Sequence, residues 1–92
     1  MPEQEQAKQS VDQLKQARRQ RKTVIRKQVI DALGQPHDLY GVQVRHLWDD
    51  HYRVNVLAGV DAASAKVAHS YFLLADSEGN ILASTPKITK QY

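Results

Sequence analysis

Residues 42–58 read VQVRHLWDDHYRVNVLA, and the alternation within them decides what kind of fold this chain can build. Val42, Val44, His46 and Trp48 alternate with Gln43, Arg45 and Leu47, while Tyr52, Val54, Val56 and Ala58 alternate with Arg53, Asn55 and Leu57. A period of two marks a strand with one covered face, and two such runs around Asp49 and Asp50 predict a β-hairpin. Loop length then sets which residues share a face. A two-residue loop at Asp49 and Asp50 pairs Val44 with Asn55 and Arg45 with Val54, which mixes polar and apolar side chains on both faces. A three-residue loop of Asp49, Asp50 and His51 pairs Trp48 with Tyr52, His46 with Val54 and Val44 with Val56, which gives one clean apolar face. The three-residue loop is the expectation.

On the carboxy-terminal side, Val67 to Ala75 reads as a third strand and Ile81 to Thr85 as its return partner. Between them, Asp76, Ser77, Glu78, Gly79 and Asn80 predict a type I turn with Gly79 left-handed, closing a three-residue loop. Pro86 ends regular pairing, and Lys87 to Tyr92 forms a tail. The run Tyr71, Phe72, Leu73, Leu74, Ala75 is continuously apolar, as in a strand covered on both faces. One helix covers one face only. The other is left to a second helical segment, to the tail, or to another copy of the chain. Gly59 to Lys66 is expected to supply one or two helical turns, with Asp61 as the cap.

On the amino-terminal side, Val11 to Leu33 contains no Pro or Gly and is dominated by Gln, Lys, Arg, Ala and Leu, so one long helix is predicted. Val11, Leu14 and Ala17 are thinly spread, whereas Val24, Ile25, Val29, Ile30, Ala32 and Leu33 make a broad stripe, so only the second half is built to face a core. Gly34 followed by Pro36 is a strong stop. The whole reads as an α+β fold: a long N-terminal helix packed on a four-stranded antiparallel sheet made of two hairpins.

Charge divides along the same line. Residues 1–30 hold eight of the 13 Lys and Arg against three acids, a net +5, whereas residues 31–92 hold five bases against seven acids, a net −2. Every aromatic residue lies in the second segment. This separates a basic polar arm, residues 1–22, helical or disordered, from a single small α+β domain, residues 23–92. The domain is roughly 70 residues long, a size at which one core is marginal and a second copy or another protein becomes an expected partner. The chain has no cysteine, so disulfides, thiolate metal sites and cysteine nucleophiles are excluded. No apolar run reaches the roughly 20 residues of a membrane span, and Met1 to Glu5 lack the basic start of a signal peptide, so the expectation is a soluble, cytoplasmic protein without a membrane partner.

Lys15, Arg18, Arg19, Arg21, Lys22, Arg26 and Lys27 are the candidates for phosphate contact, because an Arg- and Lys-rich helix neutralises a polyanion with little further requirement. They fall all around the helix and no aromatic accompanies them, which suits nonspecific contact; charge runs of this kind are more often solvated faces. His46 and His69 are the candidate inward titratable groups, in line with Val44 and with Tyr71. His46, Asp49, Asp50 and His51 are of metal-ligand type, but a loop position for His51 separates them, and no metal is expected. Ser70, Ser84 and Thr85 accompany histidines without any nucleophile-elbow, phosphate-cradling or zinc-helix motif, so neither catalysis nor a cofactor is expected.

Phe72 to Pro86, FLLADSEGNILASTP, resembles the hairpin of PAS and Cache sensor sheets, in which an apolar strand, an acidic Gly turn and a short return strand recur. The resemblance covers about fifteen residues, implies a small-ligand sensing sheet, and carries no ligand residue over. Three functions follow in order: a non-enzymatic, self-associating and protein-binding interaction module; a nucleic-acid accessory protein using the basic helix; and a ligand-sensing domain.

Overall fold

The computed structural model describes the backbone of residues 2–92 and the side chains of residues 14–92; the apolar position expected at Val11 lies outside the described side chains. Helix α1 (Pro2–Leu33) is followed by strands β1 (Leu39–Trp48), β2 (His51–Ala58), β3 (Lys66–Ala75) and β4 (Ile81–Thr85). The strands form one antiparallel sheet in the order β1-β2-β3-β4, so the two expected hairpins are fused through a β2–β3 pairing into a meander. The α+β architecture is the one the sequence predicts.

Among the described side chains of α1, those that enter the core lie in its second half. Ile25, Val29 and Leu33, four residues apart on one side of the helix, are fully buried against Tyr52, Val54, Val56, Tyr71, Leu73 and Ala75 of the sheet. Leu14 remains 58% exposed. The helix stops as predicted: Gly34 takes a φ of +88° and its N–H donates to the Ile30 carbonyl at 2.8 Å. The tail docks on this same end, with the Gln91 and Tyr92 N–H groups donating to the Leu33 carbonyl at 2.7 and 3.2 Å and Ile88 packed against the core.

The first hairpin differs from expectation in register. Its loop has two residues, Asp49 and Asp50, with Trp48 opposite His51; yet His46 faces Tyr52, Val44 faces Val54 and Val42 faces Val56. Leu47 is an extra residue on β1, and this bulge restores the parity that a two-residue loop alone would break. Asp49 adopts a φ of +46°, a conformation Asp tolerates better than most residues. The clean apolar face survives while the pairs of Val44 and His46 move by two positions and that of Trp48 by one. The connection between β2 and β3 takes the shorter of the expected forms: Asp61 caps it, its Oδ1 accepting from the Ser64 N–H at 2.8 Å and its carbonyl from the Ala65 N–H at 2.9 Å, and one turn forms. Four short residues cannot nucleate more without an apolar side to bury.

The β3–β4 turn is where helix and sheet are locked together. Asp76 and Asn80 close the predicted three-residue loop, and Gly79 takes a φ of +92°. From the helix, Gln28 Nε2 donates to Asn80 Oδ1 at 2.8 Å and Gln28 Oε1 accepts from the Ile81 N–H at 2.9 Å. Arg21 donates through Nε to the Ser77 carbonyl and through Nη1 to the Tyr52 hydroxyl, both at 3.1 Å. The approach is so close that a Cβ on Gly79 would stand 2.7 Å from the Arg21 carbonyl oxygen and 2.9 Å from Val24 Cβ. Gly79→Ala is therefore expected to lower the unfolding free energy by more than about 1 kcal/mol in a urea titration. Gly41→Ala, where nothing lies within 4 Å of a new Cβ, is expected to change it far less.

The same turn carries a pH dependence. Asp76 is held below its ordinary value of 3.8, chiefly by the Asn80 N–H; desolvation opposes this, and the Asn80 amide and the Glu78 and Gly79 N–H groups add to it. Folding thus favours the carboxylate, a contribution present above pH 3.8 and lost as pH falls through the lower folded value. Denaturation midpoints are expected to drop on acidification below pH 3.8, and Asp76→Asn is expected to make that drop shallower.

Candidate functional site

The cationic helix residues do not form one equivalent set. Arg21 is engaged in the turn lock. Arg19 lies in a cleft of about 590 Å³ with Gln20, Ser77 and Glu78, on the β4 side of the helix. Lys15 and Lys27 are exposed. Arg18, Lys22 and Arg26, spaced by four, share the side of α1 that runs beside β1, since Arg18 and Lys22 line one cleft there and Lys22 and Arg26 the next. Arg26 Nε donates to the Val42 carbonyl at 3.3 Å, pinning this row to the open edge of the sheet.

At that edge the helix row meets two arginines from the sheet. Lys22, Arg26, Arg45 and Arg53 line a cleft of about 500 Å³ with Gln43, Asn55, Val42 and Val44, and no carboxylate is among its walls. The two elements contribute from opposite faces: the helix covers the Val42 and Val44 side, while Arg45 and Arg53 project from the other. Arg45 and Arg53 are direct cross-strand partners. Like charges in that relation repel, and Arg53 compensates only partly by donating through Nη1 to Ser70 Oγ at 3.1 Å. Sequence reasoning missed both as site residues. In the expected register Arg45 faces Asn55, and the pair does not exist.

The face that bears these arginines is the one α1 leaves bare. In register across the strands it presents Gln43, Asn55 and Ser70 in one row, Arg45, Arg53, Phe72 and Thr85 in the next, and Trp48, His51, Leu74 and Ala83 in the third. Neither expected internal cover reaches it: the β2–β3 connection is a single turn, and the tail lies at the helix end. Trp48 stacks on His51 with centroids 5.0 Å apart, and Phe72 stands 5.8 Å from Trp48 and 5.5 Å from His51. Trp48 is nonetheless 53% exposed.

Neither inward histidine is a buried group. His46 lies on the helix side of the sheet but is exposed, beyond the reach of the buried part of α1, and its Nε2 donates to the Asp49 carbonyl at 2.7 Å. His69 is half-buried under the docked tail, its Nε2 at 2.9 Å from the Tyr92 hydroxyl and its ring parallel to Tyr71. Burial, and then Tyr92, push the Tyr71 phenol above its ordinary value, so it stays neutral. Among the described residues no three His, Asp or Glu side chains are grouped as a metal site. Ser70 donates to Asn55 Oδ1 at 2.7 Å and Ser84 Oγ accepts from the Ile88 N–H, so both hydroxyls serve the fold. Of the larger clefts, the two beside β4 and its turn are open, and the two along β1 are partly enclosed between helix and sheet. No helix among the described residues is long and apolar enough to cross a membrane.

Comparison of the chain with protein-family models, curated proteins and solved structures returns no match. The likeness of Phe72 to Pro86 to sensor-sheet hairpins gains no support from it.

An unneutralised arginine pair costs stability, so relieving it has a measurable sign. Arg45→Glu, opposite Arg53, is expected to stabilise the protein by about 0.5 kcal/mol at low salt, with the gain shrinking as ionic strength rises. Chemical denaturation at two salt concentrations checks it; a loss of stability would show that the pair is not repulsive.

Proposed function

We propose that this protein is a non-enzymatic binding module for nucleic acid, taking the phosphate backbone along the cationic β1 edge. The observation that supports this is the convergence of Lys22 and Arg26 with Arg45 and Arg53 on one carboxylate-free cleft. Clustered cations with no carboxylate lining their shared cleft attract a polyanion and release its counterions, whatever its sequence. Repulsion between Arg45 and Arg53 points the same way, because a phosphate set between two guanidiniums turns an unfavourable pair into charge-assisted hydrogen bonds. Arg18 extends the row along the helix.

A second reading is self-association through the bare sheet face, favoured by the exposed Trp48 beside Phe72 and Leu74. Charge weighs against it. A second copy stacked there would bring two more arginines and no carboxylate into the interface, and a buried unpaired charge is strongly unfavourable.

The experiment is a titration of a labelled generic oligonucleotide at 50 and 200 mM salt. Four phosphate contacts give a slope of log K on log salt of about −3 to −4, and Arg45→Ala and Arg53→Ala are each expected to reduce its magnitude by about 1. Absence of binding at low salt, or a slope that both substitutions leave untouched, would remove the proposal. A mass that doubles with protein concentration in light scattering, with no nucleic acid bound, would establish the second reading in its place.

A further inference from the structure

We infer that the bare sheet face is a base-stacking platform, and that the nucleic acid is therefore single-stranded. This rests on the reading above and concerns the same site. The cleft at the β1 edge is continuous with the face through Arg45, Arg53, Gln43 and Asn55. From Arg53 the row runs on to Phe72, its direct partner on β3, and the neighbouring row opens with Trp48 and His51. Arginines that hold a backbone and aromatic rings that receive bases thus occupy the same and adjoining rows of one sheet face.

A duplex cannot use such a surface fully. Its bases are stacked on one another inside the helix, and only unpaired bases present a free π-face to a protein ring. Trp48 on β1 and Phe72 on β3 lean together over β2, and with His51 their rings form one aromatic cluster with centroids 5.0 to 5.8 Å apart. Gln43 and Asn55 place amide groups on the other side of the arginine row, where exposed base edges can be met by hydrogen bonds; the Ser70 hydroxyl there is already tied between Arg53 and Asn55. Charge complementarity selects this occupant over a second copy: the face carries Arg45 and Arg53 and no Asp or Glu in these three rows or in the apolar row of Gly41, Leu57 and Val67 beyond them.

Trp48 is the only tryptophan in the chain, so it reports on its own surroundings. The full chain is titrated with oligo-dT and with a duplex of equal length at 50 mM salt, following Trp48 emission. Stacking is expected to quench the emission with the single strand and to give it the higher affinity. Trp48→Ala is expected to weaken single-strand binding by roughly fivefold to a hundredfold while moving duplex binding little. Trp48→Phe, which keeps a ring, is expected to retain most of the affinity; it also serves as the informative variant if Trp48→Ala fails to fold. Equal affinity for the two forms with unchanged emission overturns the platform and leaves the phosphate-binding reading intact. No binding of either form overturns both. Emission that shifts with protein concentration alone, together with a doubled mass, means that a second copy holds the face, and also overturns it.

Discussion

A single helix can lie across only one face of a four-stranded sheet, and the rest of this structure follows from that constraint. The helix side is dry: Ile25, Val29 and Leu33 fill the space over Val54, Val56 and Leu73, and each fully buried aliphatic side chain contributes about 1.5–3 kcal/mol. Little else in the chain could do this. The tail is recruited to the same side, closing the helix end and covering His69, so among the described residues no segment shields the opposite face. Polar ties then fix the helix direction, because Gln28 and Arg21 reach the β3–β4 turn from one side and Arg26 reaches the β1 edge from the other.

Most of the fold was legible because its signals are local and redundant. Alternation from Val42 to Ala58 marks a covered face, Gly34 with Pro36 marks a helix end, and Asp76 to Asn80 has the chemistry of its turn. The register was not legible. A bulge at Leu47 is as compatible with the apolar pattern as a longer loop, since both restore parity, and nothing local distinguishes them. The choice mattered beyond geometry. One register sets Arg45 against Asn55 and the other sets it against Arg53, so the candidate site was concealed by a shift of two residues.

The basic helix left a related choice open. On a helical wheel the cations surround the axis, and the wheel alone cannot say which are consumed by the fold. Packing sorts them: Arg21 is spent on Ser77 and Tyr52, Arg19 stands beside Glu78, and Arg18, Lys22 and Arg26 are left in line along β1. Once the helix is docked, the row and the sheet arginines meet at the β1 edge. Spacing by four was visible in the sequence; the strand beside it was not.

The bare face also departs from what stability alone would choose. Two arginines face each other, a tryptophan stays half in solvent, and His51 Nδ1 is buried without a hydrogen-bond partner, an arrangement that costs about 1–3 kcal/mol. The helix face shows no such conflict, and no polar residue is buried among its core. Local rules broken on one surface and kept on the other separate the part of the protein that holds it together from the part that meets something else. Phosphate oxygens would relieve the arginines and a stacked base would cover the tryptophan, so one kind of ligand answers two of the three defects at once. A second protein copy answers only the tryptophan, and it would make the charge problem worse.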